Sequence, residues 1–470
     1  MFFDSTAYVF FLTLVVLLYW RLPFRLQNYF LLAASYFFYG WWDWRFLFLM
    51  AGSTLVDFFV ARAIGTSTNE KHRKSLLIFS VILNFAFLGV FKYFNFFVGS
   101  FAHVASALGL RTIPVSVWSI ILPPGISFYT FQEVAYIVDV YHRKLAHADS
   151  LLDYALFISL FPHLIAGPIQ RPSHLLPQVQ KPRSWNAGNA FNGLLLILEG
   201  LLRKVVVADN CALIANAAFD GRLGGPNLMV LILGTYAFAW QIYGDFSGYS
   251  SIARGSAQLM GFHFMVNFRQ PYLAESLQDF WRRWHISLST WLRDYLYVSL
   301  GGNRLGKLRT YCNLMLTMLL GGLWHGANWT FVVWGGIHGG VLAIERLIAG
   351  NREVTASSSL LGRWIRRVII FNLVSLAWVF FRVPSIRGAY EQILSAKTWQ
   401  WLPIYGIALQ FLAVYALILF LIDLQLEASG GEYVLEAKPL ILRTVIGVAL
   451  CVLITLFGAN QENAFIYFRF

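Results

Sequence analysis

Apolar runs follow one another along almost the whole chain, separated by short polar or basic connections. The runs Tyr8–Trp20, Asn28–Tyr39, Phe46–Ala61, Leu76–Phe97, Val117–Val138, Leu151–Ile165, Ala190–Leu202, Leu228–Tyr243, Leu314–Leu323, Phe331–Ile344, Val368–Phe381, Ile404–Ile422 and Leu440–Phe457 span a bilayer or nearly do so. Several fall short of the ~20 residues a full crossing needs. A short run in lipid must be tilted, re-entrant or buried among its neighbours, because backbone polar groups cannot be left unpaired in hydrocarbon. The pattern predicts an all-α polytopic membrane protein with about eleven true spans and re-entrant helices between them. No Pro- or Ser-rich linker and no internal repeat divides it, so residues 1–470 are expected to form one membrane-embedded domain.

Two stretches break the rhythm. Gln278–Val298 reads QDFWRRWHISLSTWLRDYLYV. At helical spacing, Trp281, Trp284, Leu288, Trp291 and Tyr295 form an aromatic stripe, and Gln278, Arg282, His285, Ser289 and Arg293 a polar one. Asp279 and Arg283 are placed for an i,i+4 ion pair. So charged a helix cannot cross lipid alone. It lies at the interface, or it lines a polar cavity within the bundle, which would place His285 and the arginines in a vestibule.

The second stretch is the opposite case. From Thr310 to Ile344 there is no Lys, Arg, Asp or Glu, yet His325 sits near the middle, in LWHGANW. Leu314–Leu323 and Phe331–Ile344 form two arms joined by Trp324–Thr330. Arms of about fifteen residues reach roughly 22 Å into a hydrocarbon core of about 30 Å. His325 is thus expected deep in the protein, where Gly321, Gly322 and Gly326 allow close backbone approach. Desolvation favours the neutral imidazole that a general base requires. A buried histidine tying two helices by a hydrogen bond fits the same residues.

Composition and charge refine the picture. The chain is 58% hydrophobic and 13% charged, about half the charge of soluble domains, which excludes a single soluble core. Tyr8–Trp20 has no basic residue before it and no small-residue cleavage site after it, so it reads as a first span and not a removed signal peptide. The net charge of +13 follows the positive-inside bias, with some left for a basic mouth that could meet a phosphate-bearing ligand. Arg21 and Arg25, then Arg62, Lys71, Arg73 and Lys74, then His142, Arg143 and Lys144, and above all Arg346, Arg352, Arg363, Arg366 and Arg367 assign cytoplasmic loops. By alternation Asp423–Lys438 is the last such loop, and both termini fall outside. No basic domain exists for nucleic acid.

Other signals are weaker. Cys211, Cys312 and Cys451 have no disulfide or zinc spacing and read as buried small hydrophobes. Gly301–Leu308 imitates a phosphate loop but has Leu308 where a hydroxyl should hold magnesium, so it reads as a basic turn. His142, His147, His163 and His174 have no ligand spacing. Gly167–Trp185 reads as a loop or short surface helix. Asp245 is placed to cap a helix start with Ser247 nearby, or to orient a histidine.

Three blocks, DFSGYSSIARGSAQLMGF (Asp245–Phe262), NFRQPYLAESLQDFWRRWHISLSTWLRDYLYVSLGGNR (Asn267–Arg304) and MLLGGLWHGANWTFVVWGGIHG (Met318–Gly339), resemble the membrane-bound O-acyltransferase (MBOAT) family. They are nearest its bacterial branch of alginate O-acetylation and D-alanyl teichoic acid transfer proteins. Leu31–Trp42 and the tail Phe465–Phe470 resemble it too. The resemblance implies a ring of tilted helices around a thin centre, and an enzyme with His325 as the catalytic histidine and His285 as the second polar residue. It implies no bound cofactor and no metal. Acetyl-CoA is the expected donor substrate, with Arg282 and Arg293 as funnel contacts and Trp324, Asn328 and Ser289 as walls of the site. The expected setting is a bacterial inner membrane. The expected acceptor is an extracytoplasmic polysaccharide, reached through a periplasmic or membrane-anchored partner acyltransferase. Transfer of D-alanyl or another acyl group from a carrier protein keeps the fold, and a proton-coupled transporter using both histidines is the alternative of another class.

Overall fold

The computed structural model describes residues 1–110, 120–349, 359–435, 438–459 and 465–466. Helices account for the regular structure, and there is no strand among the described residues. Among the described residues six helices are long and apolar enough to cross a membrane, Arg45–Thr66, Glu70–Ala107, Trp329–Ala349, Leu360–Arg382, Pro403–Ser429 and Leu440–Phe457, with Thr6–Tyr19 as a shorter apolar helix. About eleven were expected. Arg352, the start of Val117–Val138, and Tyr467–Phe470 of the tail lie outside the described residues.

The chain forms two compact units. The first holds Ser5–Ala190 and Ala257–Phe264; the second holds Phe2–Asp4, Phe191–Ser256 and Met265–Phe470. In the first, the expected run Leu151–Ile165 is not one span. It breaks at Leu160 into Leu151–Ser159 and Phe161–Leu164, because Pro162 has no N–H to continue the ladder to the Ile158 carbonyl and its ring would clash there, whereas proline is tolerated in the first turn of a new helix. Gly167–Trp185 is less of a surface feature than its prolines predict. Gly167–Gln170 are buried, and the helix Pro172–Gln180 buries Leu175, Leu176 and Val179. Arg183 at its end donates to Tyr19 Oη (2.5 Å) and Asn28 Oδ1 (2.5 Å) and lies over the Phe262 ring. His163 is buried with its Nε2 3.1 Å from the Phe157 carbonyl oxygen.

In the second unit, Leu228–Leu259 runs unbroken through Asp245. Asp245 therefore caps no helix start. Its carboxylate lies 3.2 Å from Lys204 Nζ and accepts from the Ile466 backbone N–H (2.7 Å). Pro403–Ser429 likewise runs past Asp423, which is buried and accepts from Tyr243 Oη (2.9 Å). The expected loop from Asp423 therefore begins only at Gly430, where positive φ ends the helix. Of the cysteines only Cys211 is buried. Cys312 and Cys451 are exposed on the protein surface, because the apolar helices that carry them keep their packed faces elsewhere.

Candidate active site

The hairpin forms as its pattern predicts. Lys307–His325 descends, residues 326–328 turn, and Trp329–Ala349 returns. Small residues let the arms touch. A Cβ on Gly335 would lie 2.2 Å from the Met318 carbonyl oxygen. Asn328 starts the returning helix: its Oδ1 accepts from Thr330 N (3.0 Å) and its Nδ2 donates to the Pro384 carbonyl (3.0 Å). His325 is the last helical residue, and Gly326 after it is fully extended. The helix thus ends at the histidine, whose 3% exposed side chain lies against Trp334 (5.2 Å between ring centroids) and Phe381 (5.4 Å).

The amphipathic segment corrects its own pattern. It is not one helix but Leu277–Arg283, a break, Ile286–Trp291, and a wide π-type turn at Leu292–Tyr297. Ser276 caps the first piece through Asp279 N (3.0 Å). At the break Trp284 is extended and His285 takes the left-handed conformation, φ 43° and ψ 53°, a strained choice for a non-glycine residue. The cause is tertiary. An extended stretch beside it supplies two backbone hydrogen bonds, Ile286 N to Asn267 O (2.9 Å) and Arg269 N to Arg283 O (2.9 Å). These replace the helical ladder where it would have continued.

The break aims His285 inward. Its side chain is fully buried, with Phe246 edge-on at 4.6 Å. Its Nδ1 lies 3.2 Å from Asn267 Oδ1. His285 lies outside the six candidate spans, and burial lowers its imidazole pKa below the ordinary histidine value, which favours the neutral ring. The rings of His285 and His325 stand 6.2 Å apart, and Trp324 borders both, at 5.9 and 5.1 Å.

The structure therefore brings together His285, His325 and Trp324. The other expected site residues sit elsewhere in the local geometry. Ser289 Oγ donates to the Trp284 carbonyl across the break (3.0 Å). Arg282 is exposed, and Arg293 is exposed and paired with Asp294 (2.7 Å). The charges behind the site are internally matched: the expected Asp279–Arg283 pair closes at 2.8 Å, and Arg283 also donates to Glu427 (2.7 Å). Sequence reasoning missed Asn267. Its signal was a lone amide between apolar residues at the head of the NFRQPY motif, but nothing local says that it faces a histidine 18 residues on. Of Gly301–Leu308, residues up to Gly306 form a glycine-rich turn and Lys307–Leu308 begin the helix; the turn is held by Asn313 Nδ2, which donates to the Leu300 (3.1 Å) and Gly302 (2.9 Å) carbonyls. Among the described residues no group of His, Cys, Asp and Glu is placed to hold a metal.

Two buried imidazoles thus stand side by side among aromatic rings on a helical membrane scaffold. Comparison with known proteins gives the chain its family. Residues 6–391 match the description "MBOAT, membrane-bound O-acyltransferase family", and the chain belongs to that family. It is an acyltransferase. It is 44% identical over 405 residues, 85% of this chain and 76% of the relative, to the Pseudomonas aeruginosa protein described as "Probable alginate O-acetylase AlgI". It is 37% identical to the Helicobacter pylori peptidoglycan O-acetyltransferase over 77% of this chain and 72% of that one. It is 28% identical to the Streptococcus thermophilus teichoic acid D-alanyltransferase over 55% of this chain and 67% of that one.

Proposed function

We propose that this chain moves an acetyl group from a thioester donor, acetyl-CoA, across the membrane for O-acetylation of a cell-envelope polymer, a polysaccharide. The observation that carries the reading is the buried approach of His285 and His325. Relatives named for O-acetyl transfer match over more of this chain, at higher identity, than those named for D-alanyl transfer, which favours acetyl. His325 takes the proton of the acceptor hydroxyl as its oxygen attacks the thioester carbonyl. The tetrahedral intermediate collapses with loss of thiolate, and the proton passes from the imidazolium to that sulfur. No net proton is consumed, which suits a site shut from water. The donor enters from the cytosol of a bacterial inner membrane, its phosphates near Arg282 and Arg293, and the acetyl group leaves on the outer side to a separate anchored or secreted acyltransferase. Purified protein in liposomes with radiolabelled acetyl-CoA tests the first half-reaction. Label should pass to an acceptor or hydrolyse with the native protein and remain on CoA with His325→Ala. Equal turnover by the two proteins overturns the mechanism.

A further inference from the structure

Resting on that reading, we infer that Asn267 is a positioning residue that locks neutral His285 in its Nδ1–H tautomer, leaving Nε2 as a proton acceptor. The argument turns on which atom of the Asn267 amide faces the ring. The Ser287 backbone N–H, which can only donate, points at the same Asn267 atom from 3.2 Å. That atom is therefore the oxygen. The other end agrees: Asn267 Nδ2 donates to Ser250 Oγ (3.2 Å). The Ser287 hydroxyl also donates to Oδ1, at 2.8 Å, and stands farther, at 3.5 Å, from His285 Nδ1.

An amide oxygen 3.2 Å from a ring nitrogen forms a hydrogen bond only if that nitrogen carries the proton. An Nδ1 lone pair there would face oxygen lone pairs at contact distance in a buried site, where an unmade hydrogen bond costs about 1–3 kcal/mol. A neutral imidazole carries one proton. With Nδ1 protonated, Nε2 can accept and cannot donate. His285 therefore serves as an acceptor for a proton in transit beside His325, and in its neutral form gives no hydrogen bond to a developing oxyanion. The strained backbone at His285 fits this role. Ile286 N binds the Asn267 backbone oxygen while the ring binds the Asn267 side chain, so one residue holds both main chain and imidazole.

The test begins with the native protein, where folding is not in question. Histidine is labelled with 15N, and the His285 ring signals are identified by their loss in His285→Gln. The expected pattern is a protonated Nδ1 and an unprotonated Nε2; a protonated Nε2 on neutral His285 overturns the inference and leaves the acyl-transfer reading standing. In acetyl transfer, Asn267→Ala should lower kcat by about tenfold or more, part of the 10²–10⁴ that a positioned base supplies, with KM nearly unchanged. Asn267→Asp keeps the acceptor oxygen and should restore kcat to within about tenfold of native. Native kcat in a folded Asn267→Ala protein, or an Asn267→Asp protein that folds but is no better than Asn267→Ala, also overturns it.

Discussion

A Cβ on Gly322 would lie 2.2 Å from the carbonyl oxygen of Phe331, closer than any side-chain carbon is found. Two helices of the central hairpin thus meet backbone to backbone just before the histidine that ends one of them. Gly322→Ala should separate the arms and tilt His325 away from His285. Overpacking of this kind costs about 1–3 kcal/mol. The expected result is a lower melting midpoint in detergent and a fall in acetyl transfer larger than that caused by Gly340→Ala, where a Cβ meets open space. Indistinguishable activities of the two variants would show that the contact does not position the site.

Removing the imidazole of His325 should abolish transfer without unfolding the protein. His325→Ala leaves an apolar hole lined by Trp334 and Phe381, and loss of a general base lowers rates by about 10²–10⁴. His285→Ala should also lose activity, and thermal melts of both variants in detergent separate chemistry from folding. A native-like rate in a folded His325→Ala protein would remove that residue from the reaction.

Glu427 binds Arg283 (2.7 Å) and lies 3.9 Å from Arg367. Glu427→Gln keeps the shape and removes the charge. Hydrogen bonds to charged groups are worth about 1.5–3 kcal/mol, and these side chains are only partly exposed. The melting midpoint should fall, and Arg283→Ala combined with it should cost less than the two single changes added together. Strict additivity in that double-mutant cycle would mean that the pair contributes nothing.

Sidedness can be read with an impermeant thiol reagent. Because Cys312 and Cys451 are exposed, the background must first be made cysteine-free. A cysteine at Ser67, in the connection ahead of the Glu70 helix, should then resist labelling in intact cells, and one appended after Phe470 should react. Reversal of the two signals would place the thioester donor on the other side.

Much of this molecule was legible in its residues, and what was not has a common cause. The hairpin could be read because glycines, a histidine and an uncharged run are local facts. The Asp279–Arg283 pair could be read because helical spacing dictates it. The break at His285 could not. WRRWHIS holds no proline or glycine and fits a helical stripe throughout, and only hydrogen bonds from Asn267 and Arg269 across the fold interrupt it. Asp245 was misread for the same reason: its partners are Lys204 and the Ile466 backbone, the latter more than two hundred residues away. Periodicity reports what a segment would do alone, and these residues are governed by partners that a linear reading does not place beside them.

Among the described residues three wide π-type turns interrupt the helices, at Gly89–Tyr93, Leu202–Ala208 and Leu292–Tyr297, and each carries a cation matched by nearby oxygen. Lys92 reaches Ser127 Oγ, Lys204 reaches Asp209 and Asp245, and Arg293 reaches Asp294. One inserted residue rotates everything downstream by about 100° relative to a regular helix. Deleting a single residue from Leu202–Ala208 would therefore leave an acceptable helix and a wrong protein. The face after the turn would swing by more than a quarter circle, and Lys204 could no longer meet both Asp209 on its own helix and Asp245 on the next. In these helices the phase of the thread, as much as its composition, decides which partners meet.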